Sequence, residues 1–370
     1  MTLRLEDVRW DGLLPQQAGG PDPSQLARLH RDRSILVTGA GGSIGSALAR
    51  QIHKLQPRSL VLLDSSEQNL YSIHRELGLM ERPTTIVPVL GSVADERCLR
   101  DAFKRFRPHV VYHAAALKHV PLSEMNPFAV VENNVLGTWR LAETAREFGA
   151  ERLIMISTDK SVNPVSMMGA SKRLAEIVLL NLCDERTCAT SIRLGNVLGS
   201  EGSVVPLFLQ QIAHGGPVTV TDPDVSRYFL TMEETVRRVL SAAIACPKEP
   251  AVAVPVMGNP VKIVDLACHL IRGANAHDVP ITFTGLRAGD KLQEEFVAAH
   301  ETVIGESADG LQWIRSPGLP SSDLNVGLAE LLAAMEQRDL AGVLAALTHL
   351  VPEYRPTPFL RAQAAAVAHP

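Results

Sequence analysis

The chain has 370 residues, a formal net charge of −4 and 46% hydrophobic residues, enough for a sizeable core in one large domain or two unequal ones. Both signs of charge are dispersed, so there is no basic field for nucleic acid, and no apolar run reaches the roughly 18 residues of a membrane span. Five cysteines (Cys98, Cys183, Cys188, Cys246, Cys268) form an odd set without CxxC spacing. The charged N-terminus (Arg4, Glu6, Asp7, Arg9) is unlike a signal peptide. Together these lead to the expectation of a cytoplasmic enzyme with reduced thiols and no metal site.

Residues 1–32 read as a leader outside the core, with Ser24 expected to cap a short helix toward Arg31. Residues 34–37 are a buried-strand run that feeds Thr38-Gly39-Ala40-Gly41-Gly42-Ser43-Ile44-Gly45 and a helical run from 46 to about 55. Such a turn lets a pyrophosphate approach backbone N–H groups at a helix N-terminus. Gly39, Gly42, Ser43, Ile44 and Gly45 are its expected contacts. A second strand, 60–63, ends in Asp64, with Ser65 and Glu67 behind it. An acid there takes the adenosine ribose hydroxyls and repels a 2′-phosphate, so NAD is expected rather than NADP.

A third strand, 85–90, leads to Ser92 and Val93 at the same crevice, then to a helix near 95–106 and a fourth strand, 110–113. Ala114 and Ala115 let backbone lie along a flat cofactor, and Lys118 and His119 follow. Asn133 or Asn134 reads as a structural tie. This alternation describes an α/β fold, a Rossmann-type doubly wound parallel sheet, with the cofactor core at 33–200. Beyond it, helices at 205–213 and 232–245, a strand at 218–221 and a strand–helix unit at 251–272 suggest a smaller substrate domain, 201–300. Some of its elements return to the core. A helical tail, 301–370, has helices at 324–335 and 340–350 and an Ala-rich end expected to be loose.

The fifth strand, 153–156, delivers the densest chemistry at its carboxyl end, where open α/β sheets place ligands. Thr158, Asp159 and Lys160 offer a hydroxyl, a carboxylate and an amine side by side, and Lys172 follows from a helix facing the same crevice. A sixth strand, 190–194, runs into Asn196.

Gly39–Gly45 with Thr158 and Lys172 resembles the extended short-chain dehydrogenase/reductase superfamily. The blocks 37–52, 113–121, 157–176, 194–212, 216–229 and 285–296 look like the soluble catalytic domain of the polysaccharide-biosynthesis UDP-N-acetylglucosamine 4,6-dehydratases. Many members carry membrane helices before this domain, and residues 1–30 resemble only the joining segment. Leu117 and Asp222 stand where an aromatic and a histidine are common.

The resemblance implies tightly bound, recycled NAD and a UDP-sugar substrate. The reaction it implies is oxidation at carbon 4, water elimination across carbons 5 and 6, and hydride return to carbon 6. The superfamily's tyrosine, four residues before the lysine, is here Met168, and a thioether transfers no proton; the membrane-linked branch also has methionine there. Asp159 is then the acid for the 6-hydroxyl and Lys160 the base at carbon 5, which calls for an acid raised by burial and a base lowered by desolvation or by Lys172. Thr158 should bond the carbon 4 oxygen, and Lys172 should bridge the nicotinamide ribose. Asp159, Lys118 or a water relay remain candidates to deprotonate the 4-hydroxyl. Arg227 and Arg287 are placed to clamp the diphosphate, Asn196 to assist, and 218–221, with Thr219, to pair by backbone with uracil. Helices after Asn134 and around Lys172 commonly pair between subunits in the superfamily, so a homo-oligomer is implied. The rivals are a nucleotide-sugar 4-epimerase and a non-catalytic NAD-binding regulator.

Overall fold

Runs of four to seven β-branched and aliphatic residues, bounded by turn formers, are too short for helices and are buried on both faces when helices cover a parallel sheet. The computed structural model describes residues 4–10, 13, 20–80, 82–182, 186–247 and 249–367. Its main sheet comprises β1 (Ser34–Thr38), β2 (Ser59–Asp64), β3 (Thr85–Leu90), β4 (Val110–His113), β5 (Arg152–Thr158), β6 (Cys188–Leu194), β7 (Val252–Pro255), β8 (Thr302–Glu306) and β9 (Leu311–Arg315). Their order is β8-β9-β7-β6-β5-β4-β1-β2-β3. Strands β1 to β7 pair in parallel, and β9 joins β7 and β8 antiparallel. Ile35, Leu60, Leu62, Val110 and Ile154 are fully buried between the helix layers. The strand order reverses between β1 and β4, which opens a crevice at their carboxyl ends.

A second, smaller core lies beyond residue 200. Val205 and Phe208 of the Val204–Ala213 helix pack with Leu266 and Leu270 of the Ile263–Gly273 helix. A parallel strand pair, Val218–Val220 with Ile281–Phe283, lies beside them. Phe229–Leu230 pairs with Asn196–Val197 and so moors this unit to the end of β6.

Several expectations are corrected. The Pro23–His30 helix is capped by Asp22, not Ser24, because proline at the first helical position sets the cap one residue earlier. Its His30 is buried, 2.6 Å from the Tyr112 hydroxyl, so this segment belongs to the core. β8 and β9 extend the sheet where only helices were expected. The Ala-rich end forms the Pro358–Val367 helix, whose Leu360 is buried. Cys188 and Cys246 form a disulfide, since the start of β6 meets the end of the Met232–Ala245 helix; Cys98 and Cys268 are free, and Cys183 lies outside the described residues. The Met167–Asn181 helix, expected to pair between subunits, is buried continuously from Met167 to Leu179. Leu324, Leu328, Leu331, Val343 and Leu347 of the C-terminal helices cover it, so it keeps no open face for a partner.

A buried ion network joins these layers. The Glu176 carboxylate accepts from the hydroxyls of Ser157 (2.6 Å) and Ser161 (2.9 Å) and from Arg193 (2.8 and 3.1 Å). Arg193 also grips Glu301 (2.6 and 2.7 Å), and Arg173 reaches Glu176, Glu301 and Glu353. Burial alone would raise the Glu176 carboxyl, but Arg193 and Arg173 outweigh it and hold it below the usual range. Removing one partner of such a pair strands the other without water. Glu176→Gln should therefore cost about 3–5 kcal/mol, read as a lowered urea midpoint. Glu249→Ala, which removes the exposed pair with Arg315, should cost less than about 1 kcal/mol. Equal losses for the two variants would contradict this assignment.

Candidate functional site

The turn after β1 is shaped to admit a flat, charged ligand. Gly39 adopts φ +62°, and a Cβ there would stand 2.7 Å from the Ala115 backbone. At Gly45 a Cβ would collide with the Gly39 carbonyl oxygen, so both positions require glycine for close approach. The Ser43–Lys54 helix starts at Gly42 with no side-chain cap, leaving its first N–H groups for an anion. Asp64, at the end of β2, accepts from Gly41 N and Ser66 N, both at 2.8 Å. It fixes the glycine turn while standing where an adenosine ribose would lie. Ser65 and Glu67 are exposed beside it, and Ile44, Ser92, Ala114 and Ala115 are half-buried around the crevice with buried Val93. Ser92 caps its own turn by accepting from Ala94 N. These residues fit a dinucleotide of the NAD type.

Two loops meet across this crevice at residue 201. Ser43 Oγ accepts from Glu201 N (3.0 Å), and Lys118 Nζ donates to the Glu201 carbonyl (2.7 Å). His119 is exposed and abuts Gly202. Asn134 ties the Leu117 backbone through both its amide atoms: Leu117 N donates to its Oδ1 (2.8 Å) and its Nδ2 donates to Leu117 O (2.9 Å) and to Ser171 Oγ (3.0 Å).

At the end of β5 the backbone turns sharply after Thr158, with Glu176 holding Ser157 and Ser161 on either side. Thr158 Oγ1 donates to Asp159 Oδ1 at 3.0 Å, and Lys160 Nζ donates to the same oxygen at 2.9 Å. Asp159 is fully buried and its Oδ2 has no hydrogen-bond partner among the described residues. Asn196 Oδ1 lies 3.4 Å from Lys160 Nζ. Ser166 caps the Met167–Asn181 helix by accepting from Gly169 N. Met168 and Lys172 then stand one turn apart on one face. Lys172 is buried and forms no side-chain hydrogen bond or ion pair shown among the described residues. Burial pulls its amine down to about 8, with Glu176 opposing.

Three expectations change. Burial disfavours the Lys160 ammonium, but the Asp159 and Glu294 carboxylates outweigh it and hold its pKa above the ordinary lysine range, not below. Arg227 is buried and its fork is spent on carbonyls: Nη1 donates to Ser226 O (2.7 Å) and Leu292 O (3.1 Å), Nη2 to Lys291 O (2.8 Å). It therefore braces the 291–294 loop, whereas Arg287 stays exposed with Asp290 as its ion-pair partner at 2.8 Å. The Thr219 N–H and hydroxyl are both engaged by Gln211, so they are not free for a base. Sequence reasoning missed Glu294, buried 3.7 Å from Lys160. Its block, 285–296, stood out, but nothing in the spacing tells which of its acids turns inward.

Among the described residues no cluster of three metal-ligating side chains occurs, and no helix is long and apolar enough to cross a membrane. Residues 35–314 match the family described as polysaccharide biosynthesis protein. The chain is 46% identical to the capsular polysaccharide biosynthesis protein CapD of Staphylococcus aureus, over 80% of this chain and 50% of that protein; it thus spans about half the length of that relative. It is 30% identical to a UDP-N-acetylglucosamine 4,6-dehydratase (inverting) of Campylobacter jejuni, over 73% of this chain and 79% of that one. A UDP-glucose 4-epimerase of Rickettsia rickettsii is 29% identical, over 80% and 85%. In fold, the chain is similar to DesIV, a dTDP-glucose 4,6-dehydratase of Streptomyces venezuelae solved with NAD and DAU, at TM-score 0.61 and 22% identity over 71% and 88%. The chain belongs to the polysaccharide biosynthesis protein family, on an extended short-chain dehydrogenase/reductase fold.

Lys172 should titrate near about 8, against about 10.4 for an ordinary lysine. NMR of protein carrying 13C-labelled lysine, with Lys172→Arg to assign the signal, reads this directly. An ordinary titration would contradict the desolvated position assigned to it.

Proposed function

We propose that this member of the family is an NAD-dependent nucleotide-sugar 4,6-dehydratase acting on UDP-N-acetylglucosamine. The observation that carries this reading is the buried Asp159 carboxylate paired with the half-buried Lys160 ammonium at 2.9 Å, with the Thr158 hydroxyl joined to the same carboxylate oxygen at the end of the central strand. NAD, when bound, would supply the hydride acceptor and donor for carbons 4 and 6. Gly39, Gly42 and Gly45 would let NAD lie against the turn, Asp64 would hold its adenosine ribose and Lys172 its nicotinamide ribose.

The protein's own work is moving protons. Overall, the 4-hydroxyl loses a proton and the departing 6-hydroxyl gains one, while the carbon 5 proton leaves and is replaced. Asp159 serves the first exchange: it takes the 4-hydroxyl proton through Thr158 and gives it to the departing 6-hydroxyl. Lys118 is a weaker candidate, because its amine is turned to the Glu201 carbonyl. With Met168 inert, this relay stands in for the tyrosine. Lys160 serves carbon 5. Arg287 is the exposed cation that suits a diphosphate.

A 4-epimerase needs no acid and base for elimination, so the buried pair favours dehydration over that reading. A non-catalytic NAD-binding regulator has only Met168 in its favour. Asp159→Asn should keep NAD bound, read by the protein's absorbance, yet lower water loss from UDP-N-acetylglucosamine by about 10²–10⁴-fold. Unimpaired turnover in that variant would remove Asp159 from the mechanism.

A further inference from the structure

Glu294 takes no part in the steps assigned to Thr158, Asp159, Lys160 and Lys172, yet it is buried beside them with its side chain 2% exposed. Its Oε1 lies 3.7 Å from Lys160 Nζ and 3.8 Å from Arg227 Nη2. Its Oε2 lies 3.6 Å from Lys291 Nζ and has no hydrogen-bond partner among the described residues. Two of these cations are anchored elsewhere: Arg227 by three carbonyls, and Lys291 by donating to Val162 O at 2.6 Å. Lys160 donates to Asp159, and of the three it is the one already assigned a proton to move. Oε1 thus faces the catalytic ammonium while the buried Oε2 faces Lys291, and a buried carboxylate held only by ion pairs longer than a hydrogen bond is costly.

A count of protons shows what is missing. An ammonium cannot accept a proton, so Lys160 must shed one before it can act on carbon 5. Asp159 cannot receive it, because by then it holds the proton of the 4-hydroxyl. We propose that Glu294 is a positioning residue that stores the Lys160 proton during turnover, an inference that rests on the dehydratase reading.

The cycle then balances. The resting site holds the Lys160 ammonium and the Asp159 and Glu294 carboxylates. Thr158 passes the 4-hydroxyl proton to Asp159 as carbon 4 is oxidised. Lys160 hands a proton to Glu294, a transfer favoured when the substrate excludes water, because a low dielectric prefers a neutral amine and acid to an ion pair. The amine takes the carbon 5 proton, and Asp159 gives its proton to the 6-oxygen, which leaves as water. Carbon 6 is reduced by the hydride that left carbon 4, Lys160 returns a proton to carbon 5, and Glu294 returns its proton to Lys160. Burial raises the Glu294 carboxyl above the usual range, with Asp159 adding and Lys160, Lys291 and Arg227 opposing, which suits it to hold a proton briefly.

The test uses NAD-loaded wild type, Glu294→Gln and Glu294→Asp with UDP-N-acetylglucosamine in deuterated water, across about pH 6–9. Glu294→Gln should slow carbon 5 exchange and water loss about 10²-fold or more near neutrality. Its rate should then climb about tenfold per pH unit, because bulk solvent must take the Lys160 proton. Wild type should stay nearly flat, and Glu294→Asp should regain most of that flatness. Without substrate, 13C-lysine NMR should show Lys160 titrating at lower pH in Glu294→Gln, since one of the two carboxylates facing the ammonium is gone. A loss equal at every pH in both variants, an unchanged rate, or an unmoved Lys160 titration overturns the proposal. Wild type that leaves the sugar intact overturns the dehydratase reading instead, and the titration then decides the Glu294–Lys160 coupling alone.

Discussion

The Glu176 carboxylate is the constraint on which the site depends. Its Oε1 accepts from both Ser157 and Ser161, so the residues between them, Thr158, Asp159 and Lys160, have their backbone fixed at both ends. The same carboxylate meets Arg193 from β6 and Arg173 from its own helix. Through these arginines it reaches Glu301 and Glu353, and so the hairpin and the C-terminal segment. Charges this deep are expensive to desolvate and weak evidence for stability as such. What they provide here is placement, because every donor and acceptor has one arrangement in which it is satisfied.

That placement has an electrostatic consequence for the chemistry. Positive charge from Arg173 and Arg193 is cancelled within the network and does not reach the crevice unopposed. The crevice therefore has its own balance: Lys160, Arg227 and Lys291 against Asp159 and Glu294. Under the proposed dehydratase reading, the surplus of one cation there would favour an oxyanion at carbon 4. Lys172 is desolvated, with Glu176 opposing that effect.

Much of this was legible in the sequence, for physical reasons. Short apolar runs ending in polar turns declare parallel strands, and Gly39 and Gly45 declare a turn that no other residue fits. Thr158, Asp159, Lys160 and Lys172 fall at a strand end and a helix start, so local pattern places them. Long-range facts were out of reach. Lys160 was expected to be a weakened ammonium because desolvation is a local inference, but its second carboxylate comes from Glu294, 134 positions away. Arg227 looked like a free clamp because the carbonyls that absorb it lie about 65 residues on. The Met167–Asn181 helix looked available to a partner because the helices that cover it come at the end of the chain.

The central claim is that the buried Asp159 and the half-buried Lys160 at the end of β5 remove water from a nucleotide sugar. Its most direct test is incubation of the purified protein with UDP-N-acetylglucosamine in deuterated water, followed by NMR and mass spectrometry. The account predicts loss of one water, a new 6-methyl group and deuterium at carbon 5. A sugar that keeps its 6-hydroxyl, whether untouched or inverted at carbon 4, would contradict it.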